Sequence, residues 1–172
     1  MAGAAAPRGY ILDTNVISNP GDLGSASVAG WIDRHAGMIR LSVVSVAEMH
    51  RGLYLLQRKV AATADRKVAA REQQRLDRKL AWYRTVLDLF GDRIEPIDVP
   101  VAQKWAEVSV RFPALRDGDK AIAATALAKG YGVATENLGD FRAAGVPLVN
   151  PFDPGTWGPG DDGDPIARLR GD

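Results

Sequence analysis

A chain of 172 residues has the length of one domain with a full core. Its 46% hydrophobic and 25% charged residues are those of an ordinary globular protein, and no run approaches the roughly 18 apolar residues of a membrane span. The absence of cysteine excludes disulfides and thiolate metal sites, as suits a cytoplasmic protein. With His35 and His50 the only histidines, an imidazole zinc site is not expected either, and any metal is a hard cation held by oxygen.

The net charge of +1 conceals an asymmetry. Between Arg51 and Arg84 stand ten basic and three acidic residues, so that segment carries +7 and the remainder −6. A salt-bridged, solvated helix face is one reading; a surface for a polyanion is the other, with Arg51, Arg71, Arg75, Arg78 and Lys79 as candidate contacts.

Taken in order, the start Met1-Ala-Gly-Ala-Ala-Ala-Pro-Arg8 lacks a basic end followed by a long apolar core, so a signal peptide is not expected. Residues 1–8 read as a flexible tail. Tyr10-Ile-Leu12 is a short apolar run of the kind buried on both faces of a parallel sheet. Asp13 ends it, either as the cap of a short helix near Val16 to Ser18 or at the strand edge where α/β sheets place ligands. Asn19-Pro-Gly is a turn signal. Ser25 to His35 reads as a helix with Val28, Trp31 and Ile32 inward. Met38 to Leu41 is a second strand. Ser45 and Glu48 have the spacing of a capping box, after which Met49, Leu53 and Leu56 continue one helical face.

A second long helix runs to Phe90 with Leu76, Leu80, Tyr83, Leu87 and Phe90 on one face, and the two helices form a hairpin linked near Ala62 to Asp65. Ile94-Glu-Pro-Ile97 is a third strand that Pro96 assigns to an edge. Asp98 and Pro100 open a helix through Phe112, with Val101, Trp105 and Val108 together. Asp117 or Asp119 starts the Ala-rich helix Lys120 to Lys129, whose lack of a polar face marks it as central and whose end is the C-cap Gly130. Gly132 to Thr135 and Pro147 to Val149 are further strands. From residue 153 the composition of Pro, Gly and Asp predicts a loose tail. Alternating strands and helices give an α/β fold: a single domain over 9–152, a mostly parallel sheet of about five strands flanked by helices, and a helical hairpin extension.

Four acids belong to segments that such a sheet gathers at one edge: Asp13 after the first strand, Glu48 after the second, Asp119 before the fourth and Asp140 just past it. Each has a capping alternative, and Asp117 is the more natural N-cap beside Asp119. Carboxylates a few ångströms apart repel by roughly 4 kcal/mol per pair at an effective dielectric near 20, so a site that collects them binds cations or protons. Mg²⁺ and Mn²⁺ prefer such oxygen ligands, and they neutralise charge on a phosphodiester during in-line displacement.

The ordered series Leu12-Asp-Thr-Asn-Val-Ile-Ser18, Leu41-Ser-Val-Val-Ser-Val-Ala-Glu48 with Arg51-Gly-Leu53, Asp119-Lys-Ala-Ile-Ala-Ala-Thr-Ala126, Ala134-Thr-Glu-Asn-Leu-Gly-Asp-Phe141 and Val149-Asn-Pro-Phe152 resembles the PIN-domain ribonucleases, specifically the VapC toxins of bacterial toxin–antitoxin pairs. The resemblance spans residues 9 to 152. It implies that Asp13, Glu48, Asp119 and Asp140 ligate one or two Mg²⁺ or Mn²⁺ ions and carry catalysis, that Thr14, Asn15 and Asn137 line the pocket, and that Asp119 rather than Asp117 is the third acid. It further implies endoribonuclease activity, a homodimer and inhibition by an antitoxin. Two departures stand out: Glu136 lies where the family often has a basic residue, and the Lys59 to Lys79 stretch is longer and more basic than a compact member needs. A PIN-like module that grips RNA or a partner without cutting is the main rival reading. Phosphate transfer through an aspartyl intermediate is disfavoured, since Thr14-Asn15 offers neither a second Asp nor a Lys beside Asp13.

Overall fold

Parallel strands cannot be joined by tight turns, and the chain accordingly places a helical segment between each successive pair. The computed structural model describes residues 6–18 and 26–157. Strands β1 (Tyr10–Leu12), β2 (Ile39–Ser42), β3 (Ile94–Glu95), β4 (Gly132–Ala134) and β5 (Leu148–Val149) form one sheet in the order β3-β2-β1-β4-β5. All four pairings are parallel. Around it lie α1 (Thr14–Ile17), α2 (Ala26–His35), α3 (Val43–Ala62), α4 (Arg66–Phe90), α5 (Val99–Arg111), α6 (Asp117–Lys129) and α7 (Leu138–Arg142). Among the described residues, no helix is long and apolar enough to cross a membrane.

The alternation of strand side chains divides the core in two. Leu12, Ile39, Leu41, Ala134 and Val149 pack with Val16, Val28, Trp31, Val86 and Phe90 on one face of the sheet. On the other, Ile11 and Val133 pack with Val108, Ile122, Ala123, Ala126 and Phe141. The sheet is thus covered on both faces, as its continuous apolar runs require. Helix α6 is the central helix anticipated, with every residue from Asp119 to Ala126 buried, and it ends at Gly130 in the left-handed conformation (φ 72°), which a residue without Cβ adopts without strain.

The hairpin link falls at 63–65, where the Asp65 carboxylate caps α4 by accepting from the N–H groups of Lys67 and Val68. Asp98 caps α5 through Val101 N–H, and β3 is an edge strand. The inward face of α4 differs from the one anticipated. Val86 and Phe90 are buried and Trp82 packs beside them, whereas Leu76, Leu80, Tyr83 and Leu87 are half-buried. A stripe at i, i+4, i+8 faces the core where the last turns of α4 reach it; before that point a single neighbouring helix covers less surface. The first residues assigned to the tail are ordered locally. Pro154–Thr156 form a 3-10 turn capped by the Asp153 side chain, and Trp157 Nε1 donates to Asn150 O at 3.0 Å. The Asn19-Pro-Gly turn, Ser25 and residues 158–172 lie outside the described residues.

Gly9 and Met38 immediately precede the paired strands β1 and β2, and a Cβ added at Gly9 would lie 2.2 Å from the Met38 carbonyl oxygen, the acceptor of the Tyr10 N–H. A backbone atom in a central strand pair cannot yield cheaply. Gly9→Ala is therefore expected to destabilise the fold by about 1–3 kcal/mol, read as a lower urea midpoint with unchanged slope.

Candidate active site

The strand order reverses direction at β1. The chain runs from β1 outward through β2 to β3, then returns to place β4 on the other side of β1. Segments leaving β1 and β4 diverge, and the crevice between them at the carboxyl ends of the strands is where open α/β sheets bind ligands. Asp13 enters that crevice from β1 and Thr135 from β4. The Thr135 hydroxyl donates to Asp13 Oδ2 at 2.7 Å and accepts from Asn15 Nδ2 at 3.1 Å and from Asn137 N–H at 3.0 Å. Asn15 Oδ1 in turn accepts from Glu136 N–H at 3.4 Å. Asp13 occupies the N-cap position of α1, but its side chain makes no capping hydrogen bond. The carboxylate is committed to the crevice, not to the helix.

The capping box anticipated at Ser45 and Glu48 does not form. Ser42 caps α3, accepting from Val44 N–H at 3.2 Å, because β2 runs straight into the helix one turn earlier than the motif suggested. Ser45 faces inward and donates to Leu12 O. Glu48, in the second turn, is thereby released to reach sideways: Thr14 Oγ1 donates to Glu48 Oε2 at 2.5 Å. Its other oxygen lies over the start of α6, where a Cβ on Gly118 would sit 2.3 Å from Glu48 Oε1.

On α6 the N-cap position belongs to Arg116, not to Asp117. The Asp117 side chain is 87% exposed and pairs with Lys120, whereas Asp119 is 4% exposed. Burial therefore separates two acids that spacing left equivalent. The Arg116 guanidinium grips Asp119 with both arms, Nε to Oδ2 at 2.8 Å and a terminal nitrogen to Oδ1 at 3.2 Å. Asp140 does not cap a turn after β4; it lies within α7, exposed, and lines a cleft with Asp119, Arg116, Leu115 and Gly139.

Three of the four acids share one electrostatic environment. Burial pushes the Asp13 carboxyl above its ordinary value; the Thr135 hydrogen bond and the Thr14 N–H oppose this, and the charges of Asp119 and Glu48 raise it further. Asp119, Asp13 and Glu48 likewise hold the Arg116 guanidinium more firmly protonated. Among the described residues, no three acidic or histidine side chains are gathered as they stand at spacing that holds a metal ion; Arg116 bonds both oxygens of Asp119 and Thr14 one oxygen of Glu48.

The PIN domain family model matches residues 10–146. The chain belongs to the PIN-domain family. It is 34% identical to the VapC ribonuclease Y4jK of Sinorhizobium fredii, over 84% of this chain and 98% of that one. It is 32% identical to toxin FitB of Neisseria gonorrhoeae, over 83% and 97%. The crystal structure of FitAcB from Neisseria gonorrhoeae superposes with a TM-score of 0.57 at 33% identity, covering 83% of this chain and 98% of that one.

Within this PIN domain the basic residues singled out earlier are spread over the hairpin. Arg51 on α3 and Arg71, Arg75 and Arg78 on α4 are exposed, with Arg75 3.8 Å from Glu72. Lys79 is half-buried and turned toward Ser18 O at 3.5 Å, so it is not a surface cation like the others. Two residues of the crevice escaped the sequence reading. Thr135 ends the β4 run in register beside Asp13, and a hydroxyl there was its only signal. Arg116 precedes Asp119 by three positions, the i, i+3 spacing at which helical side chains meet.

Because folding raises the Asp13 value, the folded chain binds a proton there more tightly than the unfolded chain. Ionised Asp13 thus subtracts stability above its folded value and subtracts nothing below the ordinary 3.8. Asp13→Asn, whose amide oxygen still accepts from Thr135, is expected to raise Tm at pH 7 in chelator, with the gain fading as the pH falls toward 3.8.

Proposed function

We propose that this PIN domain is a Mg²⁺- or Mn²⁺-dependent endoribonuclease of the VapC type, a cytoplasmic toxin that acts as a homodimer and is neutralised by a cognate antitoxin. The observation that carries the catalytic part is Asp13, buried at the sheet's switch point, its carboxyl pushed up first by that burial and then by the neighbouring charges of Asp119 and Glu48. Such a centre is short of positive charge. The donor set is all oxygen, which fits a hard divalent cation, and Arg116 on Asp119 is already one cation drawn to it. Family membership and likeness to proteins named as a VapC ribonuclease and a toxin supply the toxin and antitoxin parts.

In this reading Asp13, Asp119 and Glu48 hold the cation, with Asp140 as a further ligand from the cleft wall. A bound divalent ion supplies a lowered water pKa and neutralisation of phosphate charge. Thr135 fixes the Asp13 carboxylate and, through Asn15 and Asn137, ties the β1 and β4 loops into one rim. Thr14 orients Glu48. Gly118 leaves the space that the Glu48 carboxylate fills. Arg51, Arg71, Arg75 and Arg78 offer the RNA backbone a basic face.

Two experiments test the parts separately. The chain with Mn²⁺ or Mg²⁺ is expected to cleave single-stranded or looped RNA and to stop with chelator, and Asp13→Asn is expected to lose about 100-fold or more, roughly 3 kcal/mol of transition-state stabilisation. A variant that cuts as fast as wild type would remove Asp13 from the chemistry. For the hairpin, Arg71, Arg75 and Arg78 changed together to Gln should weaken RNA binding and flatten the dependence of log K on log salt by about two. An unchanged slope would return these residues to a solvated helix face.

A further inference from the structure

The Arg116–Asp119 pair is lopsided. Asp119 is buried and fixed on the first turn of α6, while the Arg116 side chain that grips it is 73% exposed and lies at the N-cap position without making a cap hydrogen bond. One end of the pair is anchored and the other is free to leave. Arg116 also lies in the field of Asp13 and Glu48 as well as Asp119, and it stands on the rim of the cleft it lines with Leu115, Asp119, Gly139 and Asp140. Both oxygens of Asp119 are taken by this guanidinium. A divalent cation bound by Asp119 must displace at least one of those bonds.

We propose that Arg116 is a two-position residue: a latch that supplies the positive charge of the carboxylate centre while no divalent cation is bound, and a phosphate-positioning group for RNA once a cation takes Asp119. Guanidinium geometry suits both roles, since a carboxylate and a phosphate present similar pairs of oxygens to its planar fork. Release needs little structural change. The side chain is on the surface, and an exposed ion pair is worth little on its own. The exchange keeps the charge of the centre balanced: the guanidinium leaves as the cation arrives and moves to the phosphate that the cation brings close. The inference rests on the nuclease reading of this site and adds to it a residue that competes with the metal and cooperates with the substrate.

The test is Arg116→Gln in the full chain, with Arg116→Lys beside it. Mn²⁺ alone is titrated into the RNA-free protein by calorimetry, and RNA cleavage is measured at saturating Mn²⁺. With the latch gone, Arg116→Gln is expected to bind Mn²⁺ about threefold or more tightly than wild type, yet to cleave with KM raised about tenfold for loss of the phosphate contact. Arg116→Lys, a point charge without the fork, is expected to recover part of the KM and little of the competition. Tighter metal with weaker substrate is a combination that a purely structural salt bridge does not produce. Unchanged Mn²⁺ affinity in Arg116→Gln, with wild-type cleavage intact, overturns the latch and leaves the nuclease reading standing. A tightened Mn²⁺ affinity with unchanged KM overturns the phosphate role. A wild-type chain that takes up no Mn²⁺ and cuts no RNA overturns both readings together.

Discussion

The hydrogen bond from Thr135 to Asp13 is the interaction on which the crevice depends. It joins the first residues beyond the two strands that flank the switch point, and it is the principal side-chain contact opposing the rise of the Asp13 carboxyl on burial. A buried carboxylate without a donor is expensive in the folded state, so the placement of β4 beside β1, ending in a hydroxyl, lowers the cost of burying Asp13 at this edge, together with the Thr14 N–H. The parallel pairing of Leu12 with Ala134 sets that register, and Asp13 N–H to Ala134 O at 2.9 Å extends it by one residue. Sheet order and site chemistry are thus one constraint seen at two scales.

That constraint explains which parts of the molecule were legible in the sequence. Short apolar runs that end abruptly on polar residues mark strands buried on both faces, and all five strands lie where such runs occur. The hairpin link, the caps of α4 and α5, the buried α6 and its glycine stop follow from local chemistry: an acid that bonds the next turn, or a residue that accepts positive φ.

What failed were readings that depend on direction. The Ser45–Glu48 spacing fits a capping box, but β2 enters α3 through Ser42, so Ser45 is turned to Leu12 O and Glu48 to Thr14. Asp117 looks like the better cap than Asp119, yet the helix begins so that Asp117 faces solvent and Asp119 faces the crevice. On α4, period alone gives a helical face without saying how far along the helix the sheet begins to cover it, and the stripe shifts to Trp82, Val86 and Phe90. In each case one or two residues of phase decided whether a side chain served structure or site, and phase is fixed by tertiary contacts absent from local sequence. Arg116 belongs here too, since its pairing with Asp119 follows from where α6 starts.

The division of charge sets the last relation between fold and function. The segment from Arg51 to Arg84 carries +7 and the remainder −6, and three of those acids share one crevice. A polyanion is attracted by the hairpin at long range, while the crevice repels phosphate wherever its carboxylates are uncompensated. Attraction and repulsion act on the same strand in different parts of the molecule. On the proposed reading, a polyanion settles on the hairpin without entering the crevice until positive charge beyond that of Arg116 stands among Asp13, Glu48 and Asp119. The −6 of the remainder is in this sense as informative as the +7: in the proposed nuclease it would make engagement at the acids conditional on a cation while leaving encounter with the hairpin free of that condition, so that electrostatics separate binding the substrate from cutting it.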